Sequence, residues 1–170
     1  ESFDVMKKTT DEVTMLAQYN LSTTNTLQDS TDTAYSSKNP VRFSNTNYWS
    51  NGGYSPAGNS SYNYVYDSNS TINAYLSAYG DELEGFGVTV LSTRLMSYEE
   101  AISFGCSENS CASARQWVYQ TSYWLGSALD NLDVWHISSD TSFNADGFDY
   151  NSEYGIRPVI TIPINNVKTS

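Results

Sequence analysis

After Trp117 every apolar stretch is short and bounded by turn formers, which limits the C-terminal part of the chain to β-structure. Residues 123–128, 134–137 and 156–164 are too brief for helices, and in the last of them Ile156, Ile160, Ile162 and Ile164 share one parity. Runs of this length and alternation predict strands with one buried face. A turn-rich segment at 140–153 separates the last two. At the other end, Phe3 and Val5, then Val13, Met15 and Ala17, alternate with polar residues on either side of Thr9-Thr10-Asp11, which predicts a β-hairpin.

Between these lie two helix signals. Ile72, Tyr75, Leu76 and Tyr79 fall at i, i+3, i+4 and i+7, after Ser70 as a cap and before Gly80, and predict a short amphipathic helix ending at that glycine. Val88, Val90 and Leu91 predict a brief strand. Ser97 followed by Glu100 is a capping box opening a second short helix, whose apolar face would be Tyr98, Ala101 and Ile102 and which would end near Gly105. Hairpin, helix, strand, helix and a run of antiparallel strands make an α+β pattern. At 170 residues the chain is long enough to bury one sizeable core, so residues 1–170 are expected to form a single domain.

Residues 20–67 are dominated by Ser, Thr, Asn, Asp, Gly and Tyr, with isolated hydrophobes such as Leu27, Val41, Phe43 and Trp49. No periodic element is readable there. Its aromatics argue for a long polar loop or insertion pinned to a core. The net charge of −11 repels phosphate backbones and anionic lipid heads, which argues against nucleic-acid and direct membrane-surface binding. No apolar run approaches the length of roughly 20 residues that spans a bilayer, so any export or anchoring segment is expected outside this sequence.

Cys106 and Cys111 stand five positions apart with no second pair. A four-thiolate zinc site needs two such pairs and catalytic redox motifs usually have two intervening residues, so a small-loop disulfide is the natural reading. Such a bridge is worth roughly 2 kcal/mol in the chain-entropy model and implies an oxidising compartment.

A search for catalytic constellations is mostly negative. The one histidine, His136, is placed by strand alternation on the face opposite Trp135, as a solvent-facing or ligand-contacting residue, and no Gly-x-Ser-x-Gly elbow accompanies it. Ser142, Asn144, Asp146, Gly147 and Glu153 match positions of a calcium-binding EF-hand loop, but the first should be Asp and no helices flank it. Calcium held by another arrangement of Asp130, Asp133, Asp140, Asp146, Asp149 and Glu153 is the remaining cofactor expectation, since no Lys or Arg lies between Gln116 and Ile156. The more informative feature is compositional: nine aromatics among Ser, Asn, Asp and Gly from Trp117 to Tyr154. Tyr and Trp give large contact area at low rotamer cost, and the small polar residues give adaptable hydrogen bonds, which is the chemistry of a recognition surface. Trp117, Trp124 and Tyr154 are expected in the core, whereas Trp135, His136, Phe143, Phe148 and Tyr150 lie among turn formers and are expected to be exposed.

The sequences Tyr-Trp-Leu-Gly-Ser-Ala at 123–128, Val-Trp-His-Ile at 134–137 and Gly-Ile-Arg-Pro-Val-Ile at 155–160 resemble the C-terminal half of bacterial and phage C-type-lectin-fold proteins, including the variable proteins diversified by retroelements and Firmicutes-type ectodomains. The resemblance is carried by roughly the last 50 residues, and residues 117–164 would be the recognition half. It implies a C-type-lectin-like fold in which the N- and C-terminal strands pair. Gly155 and Arg157 would be scaffold, alongside Trp124 and the Cys106–Cys111 pair, with Arg157 pinning the base of the loops by hydrogen bonds. Ligand contacts would come from Asp130, Asn131, Asp133, Trp135, His136, Asn144, Asp146, Phe148, Tyr150 and Asn151. Proteins of this kind often follow an N-terminal pilin-like or membrane-anchoring helix, which implies a surface-anchored or secreted location and a route to self-assembly.

Departures from the family matter too. The Glu-Pro-Asn, Gln-Pro-Asp and Trp-Asn-Asp motifs of calcium-dependent sugar binding are absent, and the paired cysteines do not sit where the copper-dependent formylglycine-generating branch has its site. The expectation is therefore a non-enzymatic adhesin-type module that binds a host or bacterial surface protein or glycan. A structural pilin-head or phage tail-tip subunit is the alternative, and a formylglycine-generating-type enzyme a more distant one.

Overall fold

The computed structural model describes residues 2–21, 43, 71–129, 132–147 and 154–166. Most of the 20–67 segment lies outside the described residues, as do Asp130, Asn131, Phe148, Tyr150 and Asn151. The described residues form a mixed α+β arrangement of two helices and two antiparallel sheets.

The hairpin forms where the sequence places it. Strands β1 (Phe3–Lys8) and β2 (Glu12–Ala17) are joined by a turn in which the Thr9 hydroxyl accepts from the Glu12 amide at 3.1 Å. The register shifts between Val5 and Lys7, and such an irregularity re-aims side chains. Val5, expected inside, is 56% exposed on this outer strand of its sheet.

Helix α1 (Thr71–Gly85) runs through Gly80 instead of ending there. At Gly80 it lies against strand β3 (Ser92–Arg94), where an added Cβ would stand 3.2 Å from the Thr93 methyl, so this glycine serves close packing. The terminator is Gly87, with φ of +83°: its amide donates to Glu84 O at 2.8 Å and the Val88 amide to Leu83 O at 3.1 Å, a Schellman pair. This longer helix displaces the strand expected at Val88–Leu91 to β3.

Helix α2 (Tyr98–Ser103) carries the full capping box. Ser97 Oγ accepts from the Glu100 amide at 3.1 Å, and the Glu100 carboxylate accepts from the Ser97 amide at 2.9 Å while gripping Arg94 through two bonds of 2.7 and 2.6 Å. Burial works to raise the Glu100 pKa, but the Arg94 and Ser97 donors outweigh it and hold the group below its ordinary value. Of the expected apolar face Ala101 is buried and Ile102 is 39% exposed. Ser97→Ala is expected to cost about 1 kcal/mol in urea denaturation, with no change in the denaturant slope.

Strands β4 (Tyr123–Ala128), β5 (Asp133–Ile137) and β6 (Phe143–Gly147) form the second sheet in that order. Strand β7 (Val159–Pro163) closes the first sheet, whose order is β1-β2-β7-β3. The two ends of the chain thus share one sheet: β2 is the strand hydrogen-bonded to β7, and β1 lies on its outer side. Just before β7 the chain stitches the sheets together, because Gly155 exchanges backbone bonds with Ser122 and Trp124 while Ile156 O accepts from Leu21 and Pro158 O from Ala17.

Two hydrophobic cores result among the described residues. Ile72, Leu76, Tyr79 and Leu83 of α1 meet Val13, Trp124, Val134, Ile160 and Ile162 in one. Ala101 of α2, the Cys106–Cys111 disulfide, Leu16, Tyr123, Leu125, Ile137, Phe143 and Val159 form the other. Strands β2 and β7 therefore bury both faces rather than the single face their alternation predicts, since they lie between two layers. Phe43, one of the isolated hydrophobes of the polar segment, is fully buried edge-on to Trp124, with centroids 6.0 Å apart.

Candidate functional site

The same two-sided covering decides the fate of the aromatic residues on the second sheet. Alternation does separate Trp135 from His136, but each face meets a different layer. On one, Trp135 lies 4.7 Å from Tyr98 of α2 and 5.0 Å from Phe143, centroid to centroid. On the other, His136 stacks on Tyr154 at 3.8 Å with Trp124 edge-on at 6.0 Å. The expected exposure of these residues is corrected accordingly: Phe143 and His136 are buried and Trp135 is half-buried. Trp124 and Tyr154 take their expected core places, and Trp117 is half-buried against Phe104 at 4.9 Å.

Over β5 and β6 lies a depression of about 410 Å³, lined by Asn109, Leu129, Trp135, His136, Asn144, Ala145, Asp146 and Tyr154. Four of the ten residues expected to contact a ligand meet here: Trp135, His136, Asn144 and Asp146. Asp133 is half-buried at the start of β5, one residue pair from Asp146 in the ladder. Asp130, Asn131, Phe148, Tyr150 and Asn151 lie outside the described residues.

Register explains the grouping. His136 pairs with Asn144 and Val134 with Asp146 across β5 and β6, so His136, Asn144 and Asp146 share one face. The Tyr154 hydroxyl donates to Asp146 Oδ2 at 2.8 Å, and His136 Nε2 approaches the same oxygen at 3.2 Å without the alignment of a hydrogen bond. The His136 side chain is 3% exposed, whereas that of Asp146 is 40% exposed and Asn144 is exposed. Burial pushes the His136 pKa down to about 4, against the upward pull of Asp146 and Asp140, so the imidazole is neutral at neutral pH. Asp140 sits below its ordinary value because the Ser142 backbone amide donates to it.

The site is thus a rigid floor of stacked rings beneath one partly exposed carboxylate and one exposed amide. Its polar groups can accept hydrogen bonds from amines, amides and hydroxyls. Among the described residues the lining contains no Ser, Thr, Cys or Lys side chain, and its carboxylate, imidazole and phenol groups, on Asp146, His136 and Tyr154, lie against one another. No group of three or more His, Cys, Asp or Glu side chains is placed to hold a metal ion among the described residues; Asp130, Asp149 and Glu153 lie outside them.

Four contributors were not expected from sequence, and of these Leu129 follows the end of β4. Tyr154 acts both in the core and, through its hydroxyl, on Asp146. Asn109 enters with φ of +65° from the disulfide loop, a conformation for which Asn is a usual residue and thus a readable signal. Ala145 carries no sequence signal, because its role comes from the strand's position in the sheet. None of the expected scaffold residues lines the depression: Cys106 and Cys111 are bonded to each other, Arg157 is fully buried, and Gly155 lies so close to Asn20 that an added Cβ would stand 2.8 Å from its Cγ. Asn20, from the polar segment, is buried with its amide donating to Ser122 O and accepting from Thr121 Oγ1, both at 2.9 Å. Compared with protein-family models, with curated proteins and with solved structures, the chain matches none.

Proposed function

We propose that this chain is an extracellular ligand-binding domain with a C-type-lectin-like fold, of the kind found among bacterial and phage variable surface proteins, and that it recognises a protein or glycan through the β5–β6 face and its flanking loops. The observation that carries this reading is the depression on β6, where Asn144 and Asp146 are presented by a strand whose rings are packed rigid from both sides. Rigid aromatic support lowers the entropy lost on binding. The disulfide accords with an oxidising, extracellular setting, and no helix among the described residues is long and apolar enough to cross a membrane.

The test is a binding screen of the purified domain against arrayed glycans and surface proteins, with and without a chelator. Asn144→Trp, which fills the depression from an exposed position, is expected to weaken any hit by about tenfold or more while leaving the denaturation midpoint unchanged. Chelator sensitivity would assign a cation to the acidic loops. A hit that Asn144→Trp leaves intact would move recognition elsewhere. No hit, with concentration-dependent self-association in sedimentation, would favour a structural pilin-head or tail-tip subunit.

A further inference from the structure

Strand β6 is the outer strand of its sheet, and its hydrogen-bonding phase can be read from its ends. The Phe143 amide donates to Asn109 O at 3.2 Å, away from β5. Since antiparallel ladders alternate, the backbone groups of Ala145 and Gly147 face the same outer side. The disulfide loop closes only the start of that edge. Ser110 bridges to Ser142, and the Cys111 amide donates to Thr141 O at 2.7 Å, so the short loop between the cysteines behaves as the stub of a fourth strand. Beyond Asn109 the stub stops. Among the described residues nothing bonds the outward N–H and C=O of Ala145 and Gly147, and Ala145 lines the depression together with Asn109. An open edge is a template for another strand.

The surroundings indicate which strand. Asp146, on this edge strand, keeps its carboxylate partly exposed, Asp133 opens β5 and Asp140 lies in the turn between β5 and β6, and the sequence between Gln116 and Ile156 has no Lys or Arg. A second copy of the chain would bring its own charge of −11 against this one. The buried His136 side chain at the floor has no hydrogen-bond partner among the described residues. We infer that the open edge of β6 takes up an extended, lysine- or arginine-bearing segment of a partner protein as an added strand, its backbone bonded to Ala145 and Gly147 and a basic side chain on Asp146. This rests on the recognition reading above and narrows it from a protein or glycan to an extended basic polypeptide.

The experiment uses fluorescence anisotropy with a labelled ten-residue peptide of alternating lysine and threonine, its glutamate–threonine counterpart, and the lysine peptide N-methylated on alternate backbone nitrogens. The wild-type domain is expected to bind the lysine peptide and not the glutamate one, with about tenfold or greater loss on N-methylation. Ala145→Pro removes an outward N–H that β5 does not use, and proline is tolerated on such an edge; it is expected to give a similar loss. Should that variant fail to fold, N-methylation reads the same bond from the ligand side. Equal binding of the methylated and unmethylated peptides would overturn strand addition and reduce the contact to charge attraction. If no peptide binds while the glycan and protein screen gives a hit sensitive to Asn144→Trp, this inference fails and the recognition reading stands. If neither assay gives a hit, both fail.

Discussion

Arg157→Ala is expected to remove about 3–5 kcal/mol of stability, enough to unfold the domain at moderate denaturant or to prevent its accumulation. The guanidinium is fully buried. Its Nε donates to Ala17 O at 2.6 Å, and Nη1 donates to Trp117 O at 2.7 Å and to Val118 O at 3.3 Å. Nη2 stands 3.8 Å from Asp4 Oδ2, an ion pair without a hydrogen bond, and the planar group lies over the Tyr123 ring at 5.1 Å. One side chain thus ties together the end of β2, the 3₁₀ turn at Gln116–Val118 and the start of β4. Truncation strands those buried carbonyls and opens a cavity between the sheets. Arg157→Lys keeps the charge but loses the planar fork, and is expected to lie between wild type and Ala. Guanidinium denaturation midpoints check the series. A loss below about 1 kcal/mol for Ala would show that water replaces the guanidinium, and that the residue is not what joins the two sheets.

The elements legible in the sequence are those fixed by neighbours along the chain. The Thr9–Glu12 turn, the Ser97/Glu100 capping box, the Cys106–Cys111 bridge and the short apolar runs of β4 and β5 depend on residues within a few positions of each other, and each forms where its signal lies. What the sequence hides is what covers each face. Gly80 looks like a helix terminator until β3 packs on it, and packing then makes a small residue useful inside the helix. His136 and Phe143 sit among turn formers, yet Tyr154 and Tyr98 close over them from distant parts of the chain. Asn20 opens a stretch so polar that burial is unexpected, but its amide satisfies Ser122 and Thr121 at the junction of the sheets. The residue types that meet at the candidate site were legible in the sequence at Trp135, His136, Asn144 and Asp146. Its location on a sheet edge was not, because edge position follows from strand order and the disulfide loop's reach.

Lowering the pH from 7 towards 4 is expected to destabilise the domain by on the order of 3 kcal/mol through His136 alone. Burial holds its folded pKa at about 4, below the ordinary 6.5 of the unfolded chain, and the pull of Asp146 and Asp140 does not restore it. Between these values the unfolded chain carries a proton that the folded one refuses, so stability rises with pH across this window. The contribution of neutral His136 is complete above about 6.5 and is lost as the pH falls through about 4. His136→Phe, which can keep the stack on Tyr154, is expected to flatten the slope of unfolding free energy between pH 6.5 and 4.5. Glu100 and Asp140, both held below their ordinary values, begin to contribute only near the lower end of that range, so the wild-type and variant curves separate above it. Identical slopes would mean that the imidazole is hydrated in the folded state. The proton has a second consequence at the site: an imidazolium 3.2 Å from Asp146 Oδ2 offsets the charge that a basic strand would meet there. Binding of the lysine peptide is therefore expected to weaken as the pH approaches 4, and this weakening should be absent in His136→Phe once ordinary carboxylate titration is subtracted.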